Sequence, residues 1–281
     1  MRIKVSIMPL MSAIGLPAGG TLAALVLAVL SLAPGRAAAD PHPLPYSYPY
    51  GTLPQGLSEV EQYVDISPVR APDPGSATGA TITTPRNVLV TEIEYGITDR
   101  LELGFYLQFV NEPGPSGSAL RFDGLKQRLR YRLAEAGEWP VNVAVYGEIA
   151  ELADEIELEA KILLERRLGR FRLIANLWGE RELYFSGGRE WVANPTGGVA
   201  FEITPALGVG LEYWGHVEFG AGDEVFNPNF HHYLGPAFLL QGGRAWLAVA
   251  PYLRLDSWSR AGEMGDEFGR VWVRAIVGIQ L

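Results

Sequence analysis

The chain has 281 residues, no Cys and a formal net charge of −9. The missing Cys excludes a disulfide scaffold and thiolate metal sites, and the acidic balance argues against nucleic-acid partners, which need basic patches. The 33 Gly and 11% aromatic residues suit an all-β protein with many turns.

Residues 1–39 read as an export signal. Arg2 and Lys4 give a positive start, Thr21 to Ala33 is an apolar run, and Ala37 and Ala39 form a small-x-small cleavage pattern before Asp40. The run is shorter than the ~20 residues of a spanning helix, so cleavage is preferred to a retained anchor. Residues 40–56 are rich in Pro and Tyr and suit neither helix nor ladder. They are expected to form an extended linker on the periplasmic side. Docking of the tyrosines in a barrel mouth is the alternative.

From residue 57 to 281 the period is two. Val60, Gln62, Val64 and Ile66 alternate with Glu59, Glu61, Tyr63 and Asp65. Leu89 to Tyr95 and Leu101 to Phe109 form a hairpin across the tight turn Ile97–Arg100. Leu125, Leu129 and Tyr131 oppose Lys126, Arg128, Arg130 and Arg132. The form continues through Val141–Ile149, Ile156–Leu164, Phe171–Glu180, Val199–Ile203, Leu207–Phe219 and Ala245–Leu255. The facing of 231–241 stays open. The last strand, Arg270 to Leu281, has a wholly apolar face, Val271 to Leu281, and a face carrying Arg270 and Arg274.

Two patterns choose the architecture. The apolar face of each phased strand carries no Asp, Glu, Lys or Arg, as expected where a charge facing lipid costs ~2–4 kcal/mol. Short links (97–100, 135–139, 167–170, 204–206, 242–243) also alternate with long ones (67–86, 110–121, 184–194, 220–230, 257–268), the exception being the tight link 151–154. The fold class predicted is all-β: an antiparallel transmembrane β-barrel of about twelve strands, with short periplasmic turns and longer outer loops. The stretch 148–167 also has helical spacing, but a hairpin keeps the strand count even. Tyr95, Tyr131, Trp139 and Phe171 near the turns, with Phe109 and Phe219 near the loops, suit interfacial belts.

The segment E-Y-G-I-T-D-R-L-E-L-G-F-Y-L (Glu94–Leu107), with W-P-V-N (Trp139–Asn142), H-Y-L-G-P (His232–Pro236) and the terminal R-A-I-V-G-I-Q-L, resembles bacterial outer-membrane barrel families and proposed outer-membrane transporters. The resemblance implies residence in the outer membrane of a Gram-negative cell and assembly by the barrel-insertion machinery through the C-terminal strand. Such barrels often end in Phe or Trp, whereas this chain ends in Leu281.

The polar face supplies the candidate lumen-lining residues: Glu92, Glu94, Glu102, Lys126, Arg128, Arg130, Arg132, Glu148, Glu157, Glu159, Lys161, Arg172, Glu212, His216, Arg254 and Arg274. Opposite charges on neighbouring strands attract. They form either a charged strip that selects solutes or a salt-bridge network filling a narrow barrel. No G-x-S-x-G, H-E-x-x-H or Gly-rich phosphate loop is present, and no cofactor, catalytic residue or metal ligand is assigned. The expected function is a narrow channel or solute-uptake barrel whose partners are the lipid bilayer, the insertion machinery and small solutes. The alternatives are a plugged structural barrel and a lipid-modifying enzyme centred on His216, which shares a face with Glu218.

Overall fold

The computed structural model describes residues 41–76, 79–113, 118–219, 229–256 and 268–281. The predicted signal, 1–39, lies outside them. The strands are β1 (Ser58–Pro72), β2 (Thr81–Gly96), β3 (Leu101–Asn111), β4 (Leu120–Arg132), β5 (Asn142–Leu152), β6 (Glu155–Leu168), β7 (Phe171–Tyr184), β8 (Arg189–Ala193), β9 (Thr196–Thr204), β10 (Leu207–Phe219), β11 (Asn229–Gly242), β12 (Ala245–Arg254) and β13 (Val271–Gln280). Pairing is antiparallel throughout, and β13 pairs with β1 to close the sheet.

β8 and β9 both lie between β7 and β10 and make one stave, interrupted at Asn194–Pro195. Pro195 has no N–H for the ladder, but its carbonyl still accepts a bond from the Gly215 N–H (2.9 Å). The barrel therefore has twelve staves. Closure leaves no unpaired edge, which hydrocarbon surroundings demand.

The alternation sets what each surface meets. On β5, Ala144, Tyr146, Glu148 and Ala150 are buried, while Val145 and Ile149 are exposed. Leu103, Leu129, Leu158, Ile162, Leu177, Leu211, Leu253 and Ile279 point outward with 41% to 58% exposure. A continuous apolar belt of this kind exceeds what a water-facing surface carries. Outward charges such as Arg70, Glu151, Arg166 and Arg181 sit near strand ends. Outward Gln62 is paired with Thr91 (2.7 Å).

Three local expectations change, and two open questions close. The stretch 67–86, expected as a long loop, is mostly strand: β1 and β2 stay paired from Ser67↔Arg86 to Pro72↔Thr81. The stretch 184–194 likewise contains β8, paired to β7. Of the stretch expected outside as a linker, residues 42–53 lie inside the barrel, while Pro54 and Gln55 are exposed at its rim. The stretch 148–167 is the β5–β6 hairpin. Of the 231–241 stretch, His231, Tyr233, Ala237 and Leu239 face inward and Phe238 outward.

Candidate solute path and the segment inside it

Residues 41–55 enter from the end that carries the short turns, the periplasmic end. Thr52 Oγ1 donates to the Asp99 carbonyl (2.8 Å), and the Gln55 N–H to Asp99 Oδ1 (3.0 Å), at the β2–β3 turn. The segment rises to an apex at Tyr46–Tyr48, tightened by the Ser47 N–H to Leu44 carbonyl bond (3.2 Å), and descends again to Pro41. Buried backbone groups need partners, and the wall supplies them. Glu212 Oε1 accepts the N–H groups of Tyr46 (3.0 Å) and Ser47 (2.7 Å), while its Oε2 accepts the Tyr252 hydroxyl (2.5 Å). Asn176 accepts the Tyr48 N–H (2.7 Å) and donates to the Tyr48 carbonyl (3.0 Å). Glu102 Oε2 accepts the Leu53 N–H (2.6 Å).

Shape matches as well. Tyr46 stacks on Trp214 at 4.5 Å between ring centroids, and the Arg274 guanidinium lies 3.6 Å from its ring centre. A Cβ on Gly210 would come within 2.7 Å of the Leu44 side chain, and one on Gly96 would overlap the Pro54 carbonyl. Both glycines make room for the segment.

The predicted lumen residues divide into groups. Arg128 bonds Glu92 (2.9 Å), Glu102 (2.6 Å), Glu94 and the Tyr106 hydroxyl (2.8 Å). Arg130 bonds Glu102 at 2.6 and 3.0 Å. This group, in the periplasmic half of β2 to β4, is buried against the inserted segment. Lys126 pairs with Glu157 (3.0 Å) and Glu148 (3.5 Å). Lys161 pairs with Glu159 (2.7 Å) and lies over the rings of Trp178 (3.6 Å), Tyr146 (4.2 Å) and Tyr48 (4.3 Å). Arg274 is held by Asp65 at 2.6 and 2.7 Å, and Arg172 by Glu165 at 2.9 and 3.0 Å. Arg254 reaches Asp256 (3.0 Å) and His231 (2.6 Å) near the outer end. His216 lies between Asn194 (2.7 Å) and Glu218 (3.1 Å). Arg132 lies at the periplasmic rim, bonded to the Asp99 carbonyl (2.7 Å).

Two larger cavities lie on either side of the inserted segment. The outer one, about 400 Å³, has Tyr46 in its lining. Glu155, Glu157, Glu180, Glu182, Glu190 and Glu218 line it from β6, β7, β8 and β10, with Glu112, Asp123 and Asp154 nearer the loops; its basic residues are Arg86 and Arg121, beside His216. The periplasmic one, about 470 Å³, is lined by Pro41, Pro43 and Tyr50 of the segment, and by Glu165, Glu202, Arg167 and Arg172. A third, about 120 Å³, sits beside Tyr48 and shares Gln108 and Trp178 with the outer one.

Sequence reasoning puts Asn176, Trp214 and Tyr252 on the inner face but gives them no role, and it has docking of the segment's tyrosines only as the alternative. The available signal was on the inner face, where glycines at 96, 198 and 210 mark the close approach of another stretch of chain.

No protein-family model and no curated protein matches the chain. Among solved structures, it is similar to an outer membrane channel from Pseudomonas putida F1, with 14% identity, a TM-score of 0.60 and coverage of 83% of this chain and 98% of that one. It is also similar to the NanC porin, with 8% identity, a TM-score of 0.51 and coverage of 79% and 98%. These likenesses show the fold, a closed outer-membrane β-barrel.

Proposed function

We propose that the protein is a narrow outer-membrane uptake channel for small cationic solutes, with residues 41–55 occupying the lumen at mid-height. The observation that carries this reading is the acidic cavity at the outer end, where nine carboxylates face two guanidinium groups above that segment. Walls of low dielectric focus such a field and raise the local concentration of counter-ions. The names of the two similar structures, a channel and a porin, agree with it.

The outer membrane is inferred from the apolar belt, export from the signal-like residues 1–39, and assembly from the alternating C-terminal strand. Mass spectrometry of the mature N-terminus tests cleavage before Asp40. Planar-bilayer recording of the purified barrel in a KCl gradient tests the channel. Cation-selective current supports it; silence from both the full chain and a variant lacking residues 41–55 leaves a structural barrel. His216 faces the outer cavity rather than the lipid belt, so a lipid substrate would have to enter the lumen to reach it.

A further inference from the structure

We propose a divalent transition-metal site between the inserted segment and the wall, centred on Glu61, with His42 on one side of it and the Glu92–Glu94 pair on the other. Glu61, Glu92 and Glu94 offer carboxylate oxygens that all lie within 4.8 Å of one another, in full burial. An acidic cluster alone means little, since protons or guanidinium groups can neutralise it. Here Arg128 takes both Glu92 Oε1 and Glu94 Oε1, and the Tyr63 hydroxyl takes Glu92 Oε2 (2.9 Å) and Glu61 Oε2 (2.5 Å). Glu61 Oε1 and Glu94 Oε2 are left without a hydrogen-bond partner.

The second observation comes from another part of the chain. His42, on the descending arm of the inserted segment, is 1% exposed, and neither ring nitrogen has a hydrogen-bond partner. Its Nε2 lies 3.9 Å from Glu61 Oε1. The ring is fixed by stacking on Trp246 (5.4 Å) and by an edge contact with Tyr48 (5.1 Å). An unpaired buried imidazole is costly. Two ligand atoms on one metal, each about 2.0–2.2 Å from it, lie up to about 4 Å apart, so this spacing admits an ion between them. One imidazole with two carboxylates suits Zn²⁺, Mn²⁺ or Fe²⁺ rather than a soft ion. Such an ion would join residues 41–55 to β1 and β2.

The test uses the refolded mature barrel, stripped with chelator and titrated calorimetrically with ZnCl₂ and with MnCl₂. The expected result is one ion per chain. In His42→Ala and in Glu61→Gln affinity should fall at least about tenfold, ~1.4 kcal/mol. His232→Ala, whose imidazole lies on the outer side of β11 against Tyr213 (2.6 Å), should bind as wild type. Heat-modifiable migration on gels confirms that each variant is a folded barrel; should Glu61→Gln fail it, His42→Ala alone decides, since its residue lies outside the strands. No ion bound by the wild type overturns the proposal, as does unchanged affinity in His42→Ala. Loss of binding in His216→Ala instead also overturns it, by moving the site to the outer cavity.

Discussion

Above the inserted segment the lining presents nine carboxylates against two guanidinium groups; below it, two face two. The same alternating strands build both ends, so the asymmetry is not imposed by the fold. It follows from which residues occupy the inward positions in the outer halves of β6, β7, β8 and β10. A field concentrated at one mouth acts on solutes before they reach the obstruction, whereas the balanced mouth offers little discrimination. In this arrangement selection by charge and closure of the path are separate devices, and each can be altered alone.

The largest effect comes from breaking the barrel wall that encloses both mouths. Leu129, 49% exposed, points into the lipid belt between Arg128 and Arg130, which point inward. Leu129→Arg places an unpaired cation on the lipid face in the periplasmic half of β4, where the cost rises with depth toward ~2–4 kcal/mol at the midplane. Folded barrel in membrane fractions should drop sharply, read as loss of the heat-modifiable band.

The next effect acts on the obstruction. Glu212 and Asn176 together hold four backbone groups of the apex, two each; bonds to a neutral amide contribute roughly 0.5–1.5 kcal/mol and those to a carboxylate more. The double variant Glu212→Ala, Asn176→Ala should release residues 46–48 and raise single-channel conductance several-fold, with the barrel still heat-modifiable. Unchanged conductance would mean that the rings around Tyr46, rather than these bonds, hold the segment.

What could be read from the sequence follows the same division. The barrel was legible because lipid on one side enforces a period of two, and even the ambiguous hairpin 148–167 yields to the strand count. The charged faces of β2 to β6 were legible because Arg128 and its carboxylates alternate cleanly with leucines. The facing of 231–241 was not. There the inner side chains, Tyr233, Ala237 and Leu239, are as apolar as the outer ones, and on this side of the barrel the inner wall meets the rings of Tyr46 and Trp214 rather than water. The inserted segment was hidden for a related reason. It has no regular structure, so it has no period, and its Pro and Tyr content also fits a linker. β8 was hidden by Asn194–Pro195, which resembles a loop but breaks the stave for only a residue or two.

A smaller effect sharpens the difference in charge. Glu155→Gln, Glu157→Gln, Glu180→Gln and Glu182→Gln together remove four of the nine outer carboxylates while keeping side-chain volume. In the released double variant, where current is large enough to measure, the reversal potential in a KCl gradient should move toward zero. The shift should shrink as salt rises, because screening shortens to about 3 Å at 1 M.

The smallest effect is expected at the other mouth. Glu202 lines the periplasmic cavity near the β9–β10 turn, where Glu165 is already bonded to Arg172 and Arg167 supplies a further cation. Removing one carboxylate there changes a balanced set by a single charge. The Debye length of about 10 Å at 0.1 M salt confines its influence to that rim. Glu202→Gln in the released background should therefore move the reversal potential less than any one of the four outer substitutions made singly. A larger shift from Glu202→Gln would place the selective field at the periplasmic end and reverse the comparison.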